Sequence, residues 1–250
     1  MLTKRIISHI PNTLTILNLI GGCLSIVTAF SGDLRLSAII LLVAFHADIF
    51  DGMSARLLKV QSLLGKELDS LADLVSFGLA PAVILHVMLK EQLNVEAFEF
   101  SLSAKTWITL LIPFLLPVFA ALRLAKFNVD DDQKNAFVGL PTPANALMVI
   151  SLPLIAQSQP ESFVLRCFSA PEGIIIYSIA VSLLMVAPVH LYGLKLKGFN
   201  WQENKFRYLF IALGLGTILI FFHTGLFLTI ILYFIYGVLF GILQRKGIIS

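Results

Sequence analysis

Four aspartates, Asp48, Asp51, Asp69 and Asp73, stand in an otherwise mostly apolar sequence. An ionised carboxylate in or beside hydrocarbon is costly unless it is paired, hydrated or metal-bound, so such groups mark function by default. Four together also repel one another, and a hard divalent cation is the usual remedy. Such an ion takes carboxylate oxygens and completes its shell with water or substrate phosphate. Asp48 and Asp51 are spaced i, i+3, and Asp69 and Asp73 i, i+4, so each pair shares a helix face. The connection from Leu57 to Leu68 returns the second helix antiparallel to the first, which brings all four carboxylates to one depth. Gly52 and Ala55 strip bulk from the turns carrying the first pair and admit a neighbouring helix or a flat ligand. Arg56 adds a planar cation suited to phosphate. Two divalent cations plus Arg56 nearly balance four carboxylates and a diphosphate, the charge logic of a two-metal phosphoryl transfer site. On spacing alone two other readings stay open. One is an ion pathway in a cation transporter; the other is a structural salt-bridge cluster, for which only Arg56, Lys59 and Lys66 are near enough in sequence.

The elements that position these residues are membrane helices. The 250 residues are 58% hydrophobic and 13% charged, with a mean hydropathy of +0.90, about half the charge density of a soluble domain. Apolar runs of about 20 residues suit a bilayer span, and they occur at 12–30, 34–56, 69–90, 106–127, 142–158, 173–192, 206–223 and 226–244. The expected fold is therefore an all-α polytopic membrane protein of about eight transmembrane helices. With the N-terminus inside, only Arg35, Lys90, Lys105 and Arg166 of the eighteen Lys and Arg fall on the far side. By the positive-inside rule both termini and the aspartates face the cytoplasm. The basic residues cluster at helix ends and form no stripe, which argues against a nucleic-acid partner. Cys23 and Cys167 lie far apart in apolar runs and read as buried thiols, neither a disulfide nor a zinc site. Met1 to Pro11 sets Leu2, Ile6, Ile7 and Ile10 against Lys4, Arg5, Ser8 and His9, the pattern of a short interfacial amphipathic helix. Pro11-Asn12 and Asn18 interrupt the run that a signal peptide would need. No linker or repeat divides the chain, so 1–250 reads as one domain: the interfacial helix 1–11, catalytic core motifs at 12–145 and C-terminal transmembrane helices at 146–250.

The pattern Asp48-x-x-Asp51-Gly52-x-x-Ala55-Arg56, eight residues, Gly65-x-x-x-Asp69-x-x-x-Asp73 resembles the complete signature of the CDP-alcohol phosphotransferase family. Three further stretches resemble its phosphatidylserine synthase branch: Pro11-Asn12-x-x-Thr15-x-x-Asn18, Arg123-Leu-Ala-Lys126-Phe127-Asn128, and Phe137-Val-Gly139-Leu140-Pro141-Thr142-Pro143-Ala144. These motifs cover residues 11 to 145; the later helices match only in hydrophobic character. The resemblance implies an enzyme that displaces CMP from CDP-diacylglycerol with L-serine, using two divalent cations, Mg²⁺ or Mn²⁺. Asp48, Asp51 and Asp69 would ligate a metal at the diphosphate. Asp73 would serve the second metal and act as general base. Gly52 and Ala55 would admit the cytidine, Arg56 would hold a phosphate, and Asn12 and Thr15 would complete the nucleotide pocket beside the loop shaped by Ser62 and Gly65. Family analogy also implies a homodimer in a bacterial or archaeal plasma (inner) membrane, where acyl chains stay among membrane lipids and nucleotide and amino acid arrive from the cytosol.

This chemistry is consistent with first principles. A serine hydroxyl is a weak nucleophile that needs a carboxylate base, and cations offset charge on the transferring phosphoryl oxygens. For the acceptor, Arg123 and Lys126 lie on adjoining turns of the fourth helix and could hold the serine carboxylate, with Asn128 and Thr142 adding hydrogen bonds. The alternative for the two basic residues is the ordinary excess of cations at cytoplasmic helix ends. Lys126 stands where relatives often have Arg, which weakens any bidentate grip there. Glycerol 3-phosphate or inositol phosphate would call for a denser cationic pocket, and these acceptors remain the alternative within the family. The Gly139 to Pro143 stretch reads equally as a rigid turn or an acceptor gate. His46 sits roughly 200° around the helix from Asp48 and should point away. His86, His190 and His223 form no ligand spacing, Asp130 to Asp132 read as a solvated loop, and Gly237 with Gly241 form a small-xxx-small pair suited to close helix packing.

Overall fold

A computed structural model describes residues 9–60, 62–96, 102–129, 137–191 and 201–245. Most of the expected interfacial helix, 1–8, and the acidic loop Asp130 to Asp132 lie outside the described residues; His9 to Pro11 already belong to the first long helix. That helix, α1 (His9–Phe30), pairs with α2 (Leu34–Leu57), which is capped where Asp33 Oδ1 accepts from the Leu36 amide at 2.9 Å. The buried stripe of α1 is Pro11, Thr15, Asn18, Gly22, Ser25 and Ala29. Its outward face is Ile16, Leu17, Ile20, Leu24 and Val27. Small and polar residues inside with large apolar residues outside invert the soluble pattern, as lipid contact and close helix approach require. A Cβ on Gly21 would stand 2.7 Å from the Ala44 Cβ, and one on Gly22 would collide with Ser76 Oγ. Those two glycines let α2 and α3 close on α1.

Helix α3 (Leu63–Gln92) is the centre of the molecule. Ser62 caps it by accepting from the Gly65 amide at 3.0 Å. The helix therefore starts six residues before the expected 69, and the connection from α2 is shorter than expected. Directly after Asp73 the helix widens into a π turn, Leu74–Leu79, in which the Ala80 amide reaches Val75 O. Pro81 has no amide to offer the Phe77 carbonyl, and Gly78 lets α4 approach so closely that a Cβ there would lie 3.2 Å from the Ala120 Cβ. Beyond this turn Ala80, Ala82, Ile84, Leu85 and Leu89 are fully buried, the all-round burial of a helix enclosed by others. Around it stand α4 (Ala104–Val129), with a tightened turn at Ile112–Phe114, α5 (Thr142–Ser158), the short α6 (Phe163–Cys167) and α7 (Pro171–Val186). A two-residue antiparallel ladder, Phe137–Val138 with His190–Leu191, ties the start of α5 to the end of α7. Helix α7 ends before the expected 192 because Pro188 favours extended geometry at Ala187 (φ −60°, ψ 140°).

The last helix, α8 (Trp201–Arg245), breaks at Phe222 (φ 49°, ψ −123°) and folds back on itself. Thr217 and Thr229 hydroxyls meet at 2.7 Å across the hairpin, and Phe210 packs on Tyr233 and Tyr236. The hairpin turn is tied to α5 by Ser158 with His223 and by Gln159 with Thr224. The protein is all-α and polytopic, as expected. Among the described residues, five helical stretches are long and apolar enough to cross a membrane, with α7 a shorter apolar helix, so the count of eight crossings is not reached by that measure. One expectation fails outright. Cys23 and Cys167 are exposed on the chain surface: Cys23 because an apolar run in a membrane helix faces lipid as readily as protein, and Cys167 because it ends the short α6 outside the membrane-length helices.

Candidate active site

The aspartates converge as their spacing requires. Asp48 and Asp51 on α2 and Asp69 on α3 each offer a carboxylate oxygen, and the three oxygens lie within 4.8 Å of one another. Asp73, one turn further along α3, shares a side-chain hydrogen bond with Asp48. Among the described residues no ion pair reaches any of the four, and Asp73 Oδ1 is buried without a partner. Like charges this close need a counter-charge, and the all-oxygen donor set is that of a hard divalent ion. Asp48, Asp51 and Asp69 can hold a metal ion.

Beside them lies a cavity of about 520 Å³ lined by Pro11, Asn12 and Thr15 of α1, Asp51, Gly52 and Ala55 of α2, and Val60, Ser62, Leu63, Gly65, Lys66 and Asp69 at the entry to α3. The α1 contribution is set by one contact. Thr15 Oγ1 donates to the buried Asp51 Oδ2 at 2.6 Å and locks α1 to α2 at this level. Gly52 leaves space, since a Cβ there would meet only Arg56 Nη2 at 3.9 Å. Asn12 Oδ1 and Ser62 Oγ crowd Gly65, each 3.1 Å from where its Cβ would stand. So Asn12, Thr15, Gly52, Ala55, Ser62 and Gly65 surround one space with two of the aspartates. Arg56 is exposed at the edge of that space and does not line it.

The residues expected to bind the acceptor scatter more widely. Arg123 on α4 is largely sheltered, stands within electrostatic reach of Asp73 and Tyr233, and leaves its Nε without a partner. Thr142, at the first turn of α5, is fully buried with an unpartnered hydroxyl. Asn128 Nδ2 donates to Ser70 Oγ at 2.9 Å, while its carbonyl accepts from Lys66 Nζ at 3.1 Å. Lys126 is exposed and makes no hydrogen bond or ion pair among the described residues. His46 bonds its own helix at Leu42 O and faces away from the aspartates, as expected.

Sequence reasoning passed over three contributors. Lys66 lines the cavity; its place next to Gly65 was a usable signal. Tyr233 reaches Arg123 from the C-terminal hairpin, which no local pattern reveals. The π turn after Asp73 was signalled by Gly78 with Pro81, but helical periodicity cannot distinguish it from a regular turn.

Comparison with known proteins agrees with this geometry. The family described as CDP-alcohol phosphatidyltransferase matches residues 8–193. A CDP-diacylglycerol–serine O-phosphatidyltransferase of Mycobacterium leprae is 37% identical over 150 residues, 57% of this chain and 46% of that protein. One of Bacillus subtilis is 32% identical over 145 residues, 58% of this chain and 75% of the other. The archaetidylserine synthase of Methanothermobacter thermautotrophicus is 32% identical over 190 residues, 74% and 71% of the two chains. The match thus spans less than half the length of the mycobacterial relative. With the aspartates gathered at one end of the bundle and the match running across three quarters of its length, the chain belongs to the CDP-alcohol phosphatidyltransferase family.

Proposed function

We propose that this protein transfers the phosphatidyl group of CDP-diacylglycerol to the hydroxyl of L-serine and releases CMP. The observation that carries the reading is the gathering of three carboxylate oxygens within 4.8 Å, with no balancing cation from the described residues, at the wall of a cavity large enough for a nucleotide. The activity named for the bacterial relatives supports serine as acceptor.

Two divalent cations, Mg²⁺ or Mn²⁺, held by Asp48, Asp51, Asp69 and Asp73, would neutralise the diphosphate and the departing CMP. Gly52 and Ala55 give the cytidine room, Asn12 and Thr15 with Ser62 and Gly65 border the same space, and Lys66 and Arg56 offer cations to the phosphates. Asp73 accepts the serine hydroxyl proton on its unpartnered Oδ1 as the new oxygen–phosphorus bond forms and the bond to CMP breaks. Arg123 receives the serine carboxylate beside Asp73. Asn128 and the buried Thr142 hydroxyl border this side, with Lys126 at its exposed edge. The whole chain acts as one catalytic domain, a homodimer in the plasma membrane, with the site and both termini on the cytoplasmic face, an orientation supported by the one-sided excess of Lys and Arg.

The test is CMP release from CDP-diacylglycerol by purified protein with a panel of acceptors. Serine alone should support turnover. Release with glycerol 3-phosphate or an inositol phosphate instead would move the chain to another acceptor class. Divalent-cation flux into vesicles without CMP release would favour a transporter.

A further inference from the structure

We propose that Asn18 is a further positioning residue of this site, its side-chain amide closing the floor of the aspartate cluster and orienting Asp48 and Asp73 when divalent cations are bound. The inference rests on the metal reading above and assigns a role to a residue outside the cavity lining.

Asn18 is wholly buried, and neither Oδ1 nor Nδ2 has a hydrogen-bond partner. Buried amides without partners are rare in native proteins, and each needs a reason. Its position supplies one. Two contacts set the antiparallel register of α1 on α2: Thr15 Oγ1 to Asp51 Oδ2, and the close approach of Gly21 to Ala44. Asn18 lies midway between Thr15 and Gly21, and Ala47 and Asp48 lie midway between Asp51 and Ala44. On the other flank α1 runs parallel to α3, with Asn12 against Gly65 and the Asn18 carbonyl accepting from Ser76 Oγ at 2.9 Å. Asn18 is therefore level with the turn from Asp73 to Ser76. It belongs to the same inward stripe as Thr15, so the residue lies one turn deeper than the Thr15–Asp51 bond, at the level of Asp48 and Asp73.

Thr15 and Asn18 differ in one respect. Thr15 already holds its aspartate, whereas Asp48 and Asp73 are bonded to each other and leave Asn18 unengaged. Cations on this pair would replace that mutual bond. A carboxylate oxygen would then be free to accept from Nδ2, and Oδ1 would accept from water ordered at the site, satisfying both orphaned atoms together. A plain buried water could also bridge them, and the experiment separates the two cases.

Full-length protein in detergent is titrated with Mn²⁺, following the free-ion signal by electron paramagnetic resonance, and its melting temperature is read in EDTA and in Mn²⁺. Asn18→Leu should weaken Mn²⁺ binding about 10- to 100-fold, the usual effect of losing an outer-shell partner, and shrink the Mn²⁺-induced rise in Tm. Its Tm in EDTA should stay level or rise, because two unsatisfied polar atoms are replaced by an apolar group of similar size. Asn18→Ser, which keeps a small hydroxyl, should show the same split more weakly, and it decides the matter if Asn18→Leu does not fold. Unchanged Mn²⁺ affinity in the folded variants, or an equal fall in Tm with and without Mn²⁺, overturns the proposal in favour of simple packing or a bridging water. Absence of Mn²⁺ binding in the wild type, or full binding by Asp51→Asn, would instead remove the metal reading itself.

Discussion

The two sides of the aspartate cluster are built differently. On the open side, around the 520 Å³ cavity, the polar contacts are already made: Thr15 holds Asp51, and Ser62 holds the Gly65 amide. Away from that cavity, Asp73 Oδ1, Arg123 Nε, Thr142 Oγ1 and both polar atoms of Asn18 are shut from solvent without partners. A space shaped by satisfied groups is preorganised for a large ligand whose fit depends on volume. Polar atoms buried without partners cost about 1–3 kcal/mol each and are tolerated where a small polar ligand or ion completes them. The contrast suits a reaction that joins a bulky CDP-linked lipid to a compact charged acceptor.

The sharpest way to break that comparison is Asp73→Asn, which removes the proposed base and leaves the cavity intact. Turnover should fall about 10²- to 10⁴-fold, while CDP binding by calorimetry stays within a few-fold of wild type; near-normal CMP release would take the base role from Asp73. Next in size, Arg123→Ala should raise the KM for serine roughly 10- to 100-fold, the loss of a charge-assisted hydrogen bond of about 1.5–3 kcal/mol. The KM for CDP-diacylglycerol should move much less, and equal effects on both substrates would dissolve the division between the two sides. The mirror variant is Gly52→Leu, whose Cβ the fold accepts but whose branches enter the cavity. About a tenfold rise in the lipid KM is expected, with the serine KM and the Mn²⁺-induced Tm gain unchanged. A matching rise for serine would mean that the two spaces are one.

Much of this architecture could be read from residue order. Asp48 and Asp51 share a helix face, as do Asp69 and Asp73, because a helix brings positions three and four apart together, and antiparallel return of α2 and α3 then gathers them. The apolar runs placed most helix ends to within a few residues, and the break between the runs 206–223 and 226–244 falls close to the fold-back of α8 at Phe222. Ends were less legible. Helix α3 starts at Leu63 because Ser62 caps it, and α7 stops at Val186 because Pro188 follows; both are local signals that hydrophobicity alone overrides. Exposure of Cys23 escaped the sequence because lipid and protein interior are equally apolar surroundings, so composition cannot say which of them a side chain meets.

The residue order by itself determined the donor chemistry, namely which carboxylates share a helix face, because side-chain type and helical period are local properties. It also determined that the helices lie in a membrane, because hydropathy sums along the chain. Only the tertiary structure decided that Thr15 engages Asp51, that Arg123 is sheltered within electrostatic reach of Asp73 and Tyr233 while Lys126 is exposed, and that Asn18 is buried with its side-chain amide unpartnered. Those outcomes depend on helix rotation and register, which arise from how closely Gly21, Gly22 and Gly78 let neighbouring helices approach. Contacts between residues distant in sequence settle such fits, and no window of the chain contains them.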